Sequence, residues 1–272
     1  MDGLKQRIRT LAYLLPPVLL ALFLSSPWPL FALCVAVAAV GARELGRMVD
    51  DKPVWVFLWG LPAFALLAGW LLVSARFPRW ELQWFFVIQQ VLFAVGIAAT
   101  AVWVRKRRSG HLPIGLWLTA PLASVVALHG VKVPHDPVWY PTTPVLMACV
   151  PIWIGDVLAY LVGKRIGRHK LAATISPKKT WEGAFANLVG CLAASWAIGQ
   201  AIGFPTAPSL WCGLVCGTLG QAGDLFESWV KRTAGRKDSG SLLPGHGGIL
   251  DRIDSVLAAA PTIALILNAW LD

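Results

Sequence analysis

Two stretches of this 272-residue chain carry the side chains that could do chemistry. The denser is KRTAGRKDSGSLLPGHGGILDRID, residues 231–254, where five basic residues, three aspartates, a histidine and five glycines lie between two apolar runs. Just before it, GDLFESWVKR spaces Asp224, Glu227, Ser228 and Lys231 at i, i+3, i+4 and i+7, which is one face of a helix. A salt-bridged helix end accounts for Glu227 and Lys231 as well as a functional role does. Asp224, more than a turn deeper beside Gly223, reads as functional. After a loop holding Lys237 and Asp238, residues Asp251, Asp254 and Ser255 fall in the first turns of a helix starting near Ile249. Gly245, Gly247 and Gly248 permit positive φ and close approach of backbone N–H groups to an anion. The dipole of the following helix points at the same place, so a phosphate seat is expected there.

The second stretch is GDVLAYLVGKRIGRHKLAATISPKKTWEG, residues 155–183. Asp156 lies inside an apolar run, and SPKKTWEG sets Lys178 and Lys179 beside a helix start, with Ser176 or Thr180 as cap and Glu182 in the first turn. Capping and loop charge explain these lysines cheaply, but two polar loops, each coupled to a buried aspartate, read better as one shared site. Basic side chains bind phosphates. Paired carboxylates suit Mg²⁺, a hard cation that takes oxygen ligands and bridges to substrate phosphates. The combination describes phosphoryl or nucleotidyl transfer. No Walker motif and no zinc-ligand spacing competes with it. His246 alone is a weak base candidate and reads equally as a phosphate or loop contact.

The elements that must hold these residues are set by composition. The chain is 57% hydrophobic and only 14% charged, with 15 tryptophans, so lipid must be the solvent for most of it. Nine apolar runs approach the roughly 20 residues that cross a bilayer as helix: about 11–26, 27–48, 53–75, 84–104, 114–131, 145–163, 184–204, 210–230 and 250–271. The first contains Pro16 and Pro17 and reads as a retained span rather than a cleaved leader. With the N-terminus cytoplasmic, this count places 21 of the 24 Lys and Arg residues on the inner face, leaving only Arg76, Arg79 and Lys132 outside. The expectation is an all-α polytopic membrane protein of about nine spans, with the C-terminus outside. Residues 1–272 form one integral membrane domain, in which 1–144 are mainly scaffold and 145–272 supply the catalytic spans and cytoplasmic loops. The net charge of +10 then reflects topology and anionic headgroups, with no nucleic acid implied. The five cysteines all lie in apolar runs and read as packing residues. An ionisable side chain within a span costs at least ~2.5–3.5 kcal/mol, and such residues concentrate after residue 144, which places the chemistry in the second half. Glycines at four-residue spacing there (Gly163 and Gly167, Gly213 and Gly217) permit tight helix packing or a homodimer face.

Residues 228–254 resemble the signature of the membrane-embedded phosphatidate cytidylyltransferases: Ser228, Lys231-Arg232, Lys237-Asp238, Gly240, Pro244, His246-Gly247-Gly248 and Asp251-Arg252-Ile253-Asp254 fill every fixed position. SPKKTWEG and GDVLAY are also similar to that family. The resemblance implies CTP and phosphatidic acid as substrates, CDP-diacylglycerol and pyrophosphate as products, and Mg²⁺, with room for a second cation. It implies a bacterial inner-membrane enzyme of phospholipid biosynthesis whose site faces the cytoplasm. Asp224 and Asp251 become the leading metal ligands, with Asp156 and Asp254 as further members. Lys231, Arg232, Lys237 and Arg252, with Lys178 and Lys179, would hold phosphates, alongside Ser228, His246, Gly247 and Gly248. A CTP-dependent lipid-alcohol kinase would share this setting but transfer the γ-phosphate. A transporter would show inverted repeats and broken midplane helices instead.

Overall fold

The computed structural model describes residues 2–24, 26–49, 79–106, 112–129, 143–243 and 247–270. They form α1 (Asp2–Phe23), α2 (Pro27–Val49), α3 (Arg79–Lys106), α4 (Leu112–Leu128) and α5 (Thr143–Ile166). A short hairpin of β1 (Lys170–Ala172) and β2 (Ser176–Thr180) leads into α6 (Trp181–Ala201), α7 (Thr206–Val215), α8 (Gln221–Thr233) and α9 (Leu250–Trp270). Among the described residues, five segments are long and apolar enough to cross a membrane: Trp28–Met48, Gln83–Val102, Pro144–Ile166, Trp181–Ala201 and Leu250–Trp270. Gly115–Leu128 is a shorter apolar helix. The protein is therefore an integral membrane protein built almost wholly of helix, as its composition requires. The run expected at 53–75 lies outside the described residues.

Helix α9 is the hub. It packs against α2, α3, α4, α5, α7 and α8, and Ala258, Ala259, Ala260, Ile263, Ala264 and Leu267 are all buried in it. A helix buried on so many sides must be apolar nearly all round, and its small residues let neighbours come close. The run read as an eighth span is α7 and α8 joined by a π-helical turn, Cys216–Gly220. Such turns insert an extra residue and redirect the face that follows. Here the extra residue lies four positions before Asp224.

The hairpin is the one addition to the helical expectation. β1 and β2 pair antiparallel, Lys170 opposite Thr180 and Ala172 opposite Ser176. Trp181 N donates to His169 O at 2.9 Å and closes the hairpin onto α6. Thr180 is the cap of α6, its Oγ1 accepting from Gly183 N at 3.2 Å, and Glu182 occupies the first turn. Ser176, the alternative cap, is a strand residue. Long-range contacts sort the helix ends. Ile249 N and Leu250 N, at the start of α9, donate to Glu44 near the end of α2, and Arg232 Nε donates to Ile175 O in the hairpin turn. The ends of α2 and α8, the hairpin and the start of α9 therefore share one end of the bundle. At another end, His129 after α4 meets Leu24 O after α1.

Small-residue rows allow close packing within the chain. A Cβ at Gly213 would meet Cys191 O at 2.8 Å, and one at Gly217 would meet Leu188 Cα at 2.8 Å. Gly223 matters most for the site, because α8 crosses α9 there: a Cβ would lie 2.7 Å from Asp254 O and 2.5 Å from Ala258 Cβ. All five cysteines are buried free thiols. We expect Gly223→Ala to lower the melting temperature in detergent, at a cost of about 1–3 kcal/mol from overpacking, with a larger fractional loss of activity. A variant as stable and active as the parent would show that this crossing does not set the site.

Candidate active site

The acidic and basic residues read from the sequence fall into two adjoining groups. The first lines a cavity of about 510 Å³ between α5, α6, α8 and the hairpin. Its wall carries Asp156 from α5, Asp224 from α8, and Lys164, Lys170, Lys178 and Lys179. Asn187, Gln221 and Ser255 complete the polar lining, and Tyr160 and Ala159 the apolar part. Lys178 and Lys179 lie on β2, whose last residue, Thr180, caps α6 and so holds the strand against the α6 N-terminus.

Lys179 Nζ lies 2.6 Å from Asp224 Oδ2, with 27% and 32% of the two side chains exposed. Ser228 Oγ donates to Asp224 Oδ1 at 3.3 Å, as the helical spacing requires. Asn187 Nδ2 donates to Asp156 Oδ1 at 3.1 Å. Asp156 keeps accessible surface because it opens onto the cavity, although protein surrounds most of its side chain. It feels the negative charges of both Asp224 and Asp254 and the positive charge of Lys179. Among the described residues no three His, Cys, Asp or Glu side chains form a ready-made metal cage. Mg²⁺ does not need one, since it keeps waters and takes one or two carboxylates plus substrate phosphates. The all-oxygen donor set fits a hard cation.

The second group is more tightly closed. Lys231 Nζ donates to Glu227 Oε2 at 2.9 Å and also contacts Asp251 Oδ1. Glu227 is fully buried and Lys231 nearly so. Asp251 Oδ2 accepts from Gly248 N at 2.8 Å and Ser239 N at 3.0 Å, and the Ser239 hydroxyl lies 3.0 Å away. Glu227 Oε1 is buried without a hydrogen-bond partner, and Asp254, also buried, is among the negative charges that act on Glu227. Asp254 thus links the closed group to the cavity group.

The glycine turn departs from expectation. Gly247 has φ +80°, so a glycine is required there. However, the amides meant for a phosphate are already taken: Gly248 N by Asp251, and Ile249 N and Leu250 N by Glu44 at 3.0 Å each. The helix N-terminus did attract an anion, but one from the protein itself. A Cβ on Gly248 would lie 2.0 Å from Ser239 Oγ and 2.4 Å from Glu44 Oε2, so a glycine here makes room for the Glu44 carboxylate. Arg232 is likewise engaged, bracing Ile175 O and Arg236 O at 3.2 Å each. Lys237 and Arg252 are exposed. His246 lies outside the described residues.

The sequence model of the cytidylyltransferase family matches residues 5–270. A Bacillus subtilis protein named phosphatidate cytidylyltransferase is 35% identical over 269 residues, covering 98% of each chain. One of the same name from Pseudomonas aeruginosa is 37% identical over 286 aligned residues, covering 98% of this chain and 97% of its own. A Brucella abortus protein, also so named, is 43% identical over 128 residues, 46% of each chain. This chain belongs to the cytidylyltransferase family.

For a cytidylyltransferase, the two groups suggest a division of labour: an open cavity for phosphates and a closed cluster that holds the loop. The sequence reading missed Glu44, Asn187, Gln221 and Ser239. Asn187 and Gln221 look like ordinary helix polars, and only the tertiary fold turns them into the cavity. Glu44 stands 195 residues from Ser239, in the half read as scaffold. Its one signal was a carboxylate among basic residues at the end of an apolar run. Because the Lys179–Asp224 pair is partly exposed, we expect Lys179→Met to change thermal stability by no more than ~1 kcal/mol. Melting curves in detergent would check this, and a loss of several times that size would mean the pair is structural.

Proposed function

We propose that this enzyme transfers the cytidylyl group of CTP to phosphatidic acid, giving CDP-diacylglycerol and pyrophosphate. The observation that carries the reading is the cavity, where two aspartates and four lysines face a space sized for a nucleotide. The names of the full-length relatives support the choice of substrates. A phosphate oxygen of phosphatidic acid attacks the α-phosphorus of CTP. The new P–O bond forms as the bond to the β-phosphate oxygen breaks, and pyrophosphate leaves with the electron pair. The attacking phosphate monoester is largely dianionic at neutral pH, since its second pKa is ~6, so no general base is required. This is consistent with a cavity lined by cations and carboxylates rather than by a histidine.

Lys178 and Lys179, with Lys164 and Lys170, would hold the triphosphate and the departing pyrophosphate. Lys179 pairs with Asp224, and it would exchange that carboxylate for phosphate if Asp224 held a cation. Asp224 would be the leading Mg²⁺ ligand, joined by Asp156 across the cavity, with Asp254 behind them. Asp251 has both oxygens engaged and would join by giving up Lys231. When bound, Mg²⁺ would offset the charge between the two phosphate reactants. Lys231 and Arg232 then act by holding the loop and the hairpin rather than by touching phosphate, and Lys237 and Arg252 add positive charge at the entrance.

The nine-span topology belongs to the same proposal: N-terminus and cavity cytoplasmic, C-terminus outside, in a bacterial inner membrane. The shared end of the bundle holding Glu44, the hairpin and Leu250 supports it, because these are the segments where basic residues collect. We expect a C-terminal alkaline phosphatase fusion to be active and a fluorescent protein fusion at the same place to be dark. The reverse would invert or shorten the span count.

The enzymatic test uses the purified protein in mixed micelles with phosphatidic acid, CTP and Mg²⁺, following lipid product and pyrophosphate. We expect both products in equal amounts. Asp224→Asn should lower kcat by at least about 100-fold, since the cation site it supplies stabilises charge in the transition state. Lys178→Met should chiefly raise KM for CTP. Release of CDP with a phosphorylated lipid alcohol would instead identify a kinase.

A further inference from the structure

Glu44 sits on α2, in the half of the chain that looks like scaffold, yet its carboxylate meets three donors at the end of the bundle that holds the signature loop. It is 4% exposed. Oε1 accepts from Ile249 N at 3.0 Å; Oε2 accepts from Leu250 N at 3.0 Å and lies 2.9 Å from the Ser239 hydroxyl. The first two contacts satisfy amides at the start of α9 that have no partner within the helix. The third reaches the loop. Ser239 Oγ stands between Glu44 Oε2 and Asp251 Oδ2, at 2.9 and 3.0 Å, with a single proton for the two carboxylates. Around Glu44 the chain has no room for side chains: a Cβ at Gly240 would lie 2.5 Å from Oε1, and one at Gly248 2.4 Å from Oε2.

We propose that Glu44 is a positioning residue for the reaction, clamping the signature loop through Ser239 and the α9 N-terminus so that Asp251 and Lys231 keep their places. It touches neither the cavity lining nor any site expected to meet substrate, and it acts through Asp251. Two facts separate it from a mere helix cap. It is borne on a helix distant in sequence, so the loop is tied to the first half of the chain. It also shares its hydroxyl donor with Asp251, so whichever carboxylate the proton favours alters the other. Were Asp251 to turn towards a cation, the Ser239 hydroxyl could point its hydrogen bond at Glu44 alone and so keep the loop closed. Glycines at 240 and 248 within the signature follow from this: they make space for the Glu44 carboxylate.

The proposal rests on the cytidylyltransferase reading, and wild-type activity in the micelle assay tests that reading separately. Glu44→Gln, Glu44→Asp and Ser239→Ala would be compared with wild type for kcat, KM for CTP, the Mg²⁺ concentration giving half-maximal rate, and hydrogen exchange of the peptide spanning 239–252. Loss of such a supporting contact typically costs roughly 10–100-fold. Glu44→Gln should lower kcat by that amount and raise the Mg²⁺ requirement, with KM for CTP within about twofold. Exchange should speed up in 239–252 but not in α6. Ser239→Ala should show the same pattern more weakly, and combining it with Glu44→Gln should add little. Glu44→Asp should recover part of the rate. A Glu44→Gln enzyme with wild-type kcat and Mg²⁺ dependence would overturn the proposal. So would a Glu44 variant that fails to fold alongside a Ser239→Ala enzyme that matches wild type. Absence of activity in wild type would instead remove the reaction, leaving the exchange data to judge the clamp.

Discussion

One ammonium group organises this end of the molecule. Lys231 is nearly buried between Glu227 and Asp251, on helices that meet edge to edge in a membrane protein. Burying three charges together costs several kcal/mol of solvation for each, which their mutual attraction offsets only when every remaining lone pair finds a donor. The fold meets that condition for Asp251, which collects the amides of Ser239 and Gly248, and Glu44 takes the next two amides, while Glu227 keeps one oxygen without a partner. The loop between α8 and α9 is thereby shaped by carboxylates that need donors, rather than by an apolar core.

From that closed cluster the open site follows. Since Lys231 compensates Glu227 and Asp251, the charges left over are Asp156, Asp224 and the hairpin lysines, and they face the cavity. The Lys179–Asp224 pair there is partly exposed and held by one strand, so it can be broken by an incoming phosphate or cation at small cost. A structural ion cluster and an exchangeable one stand at successive positions along one face of the same helix. Gly223 and the π-helical turn bring α8 close enough to α9 for Asp254 to belong to both.

Much of this was legible from local patterns. Helical spacing paired Ser228 with Asp224 and Lys231 with Glu227, and both contacts form at i, i+4. Thr180 could be read as a cap because capping chemistry is local. The low charge content required a bundle in lipid. What escaped were features whose partner lies far along the chain. Nothing near Glu44 says that Leu250 needs an acceptor, and nothing near residue 248 says that its amide is already promised. The glycine turn was therefore read as a seat for substrate, although the physics of an unsatisfied helix end applies equally to any carboxylate. The hairpin was hidden because SPKKT has neither apolar alternation nor β-branched density; it is held by its ends, through His169, Thr180 and Arg232. Similarly, a π-helical turn leaves no mark in hydropathy, so the run from about 210 to 230 looked like one straight span.

The account's central claim is that Lys231 stabilises the site as the shared counter-charge of a buried cluster, not as a phosphate ligand. Comparing the unfolding stability in detergent of Lys231→Met, Glu227→Gln and the double variant tests it most directly. Removing the lysine alone should cost about 3–5 kcal/mol, because two buried carboxylates lose their partner. The double variant should be more stable than Lys231→Met, since Asp251 retains its amide donors and Glu227 no longer carries a charge. Strictly additive losses, or a stable Lys231→Met enzyme whose sole defect is a raised KM for CTP, would contradict the account and return Lys231 to the substrate.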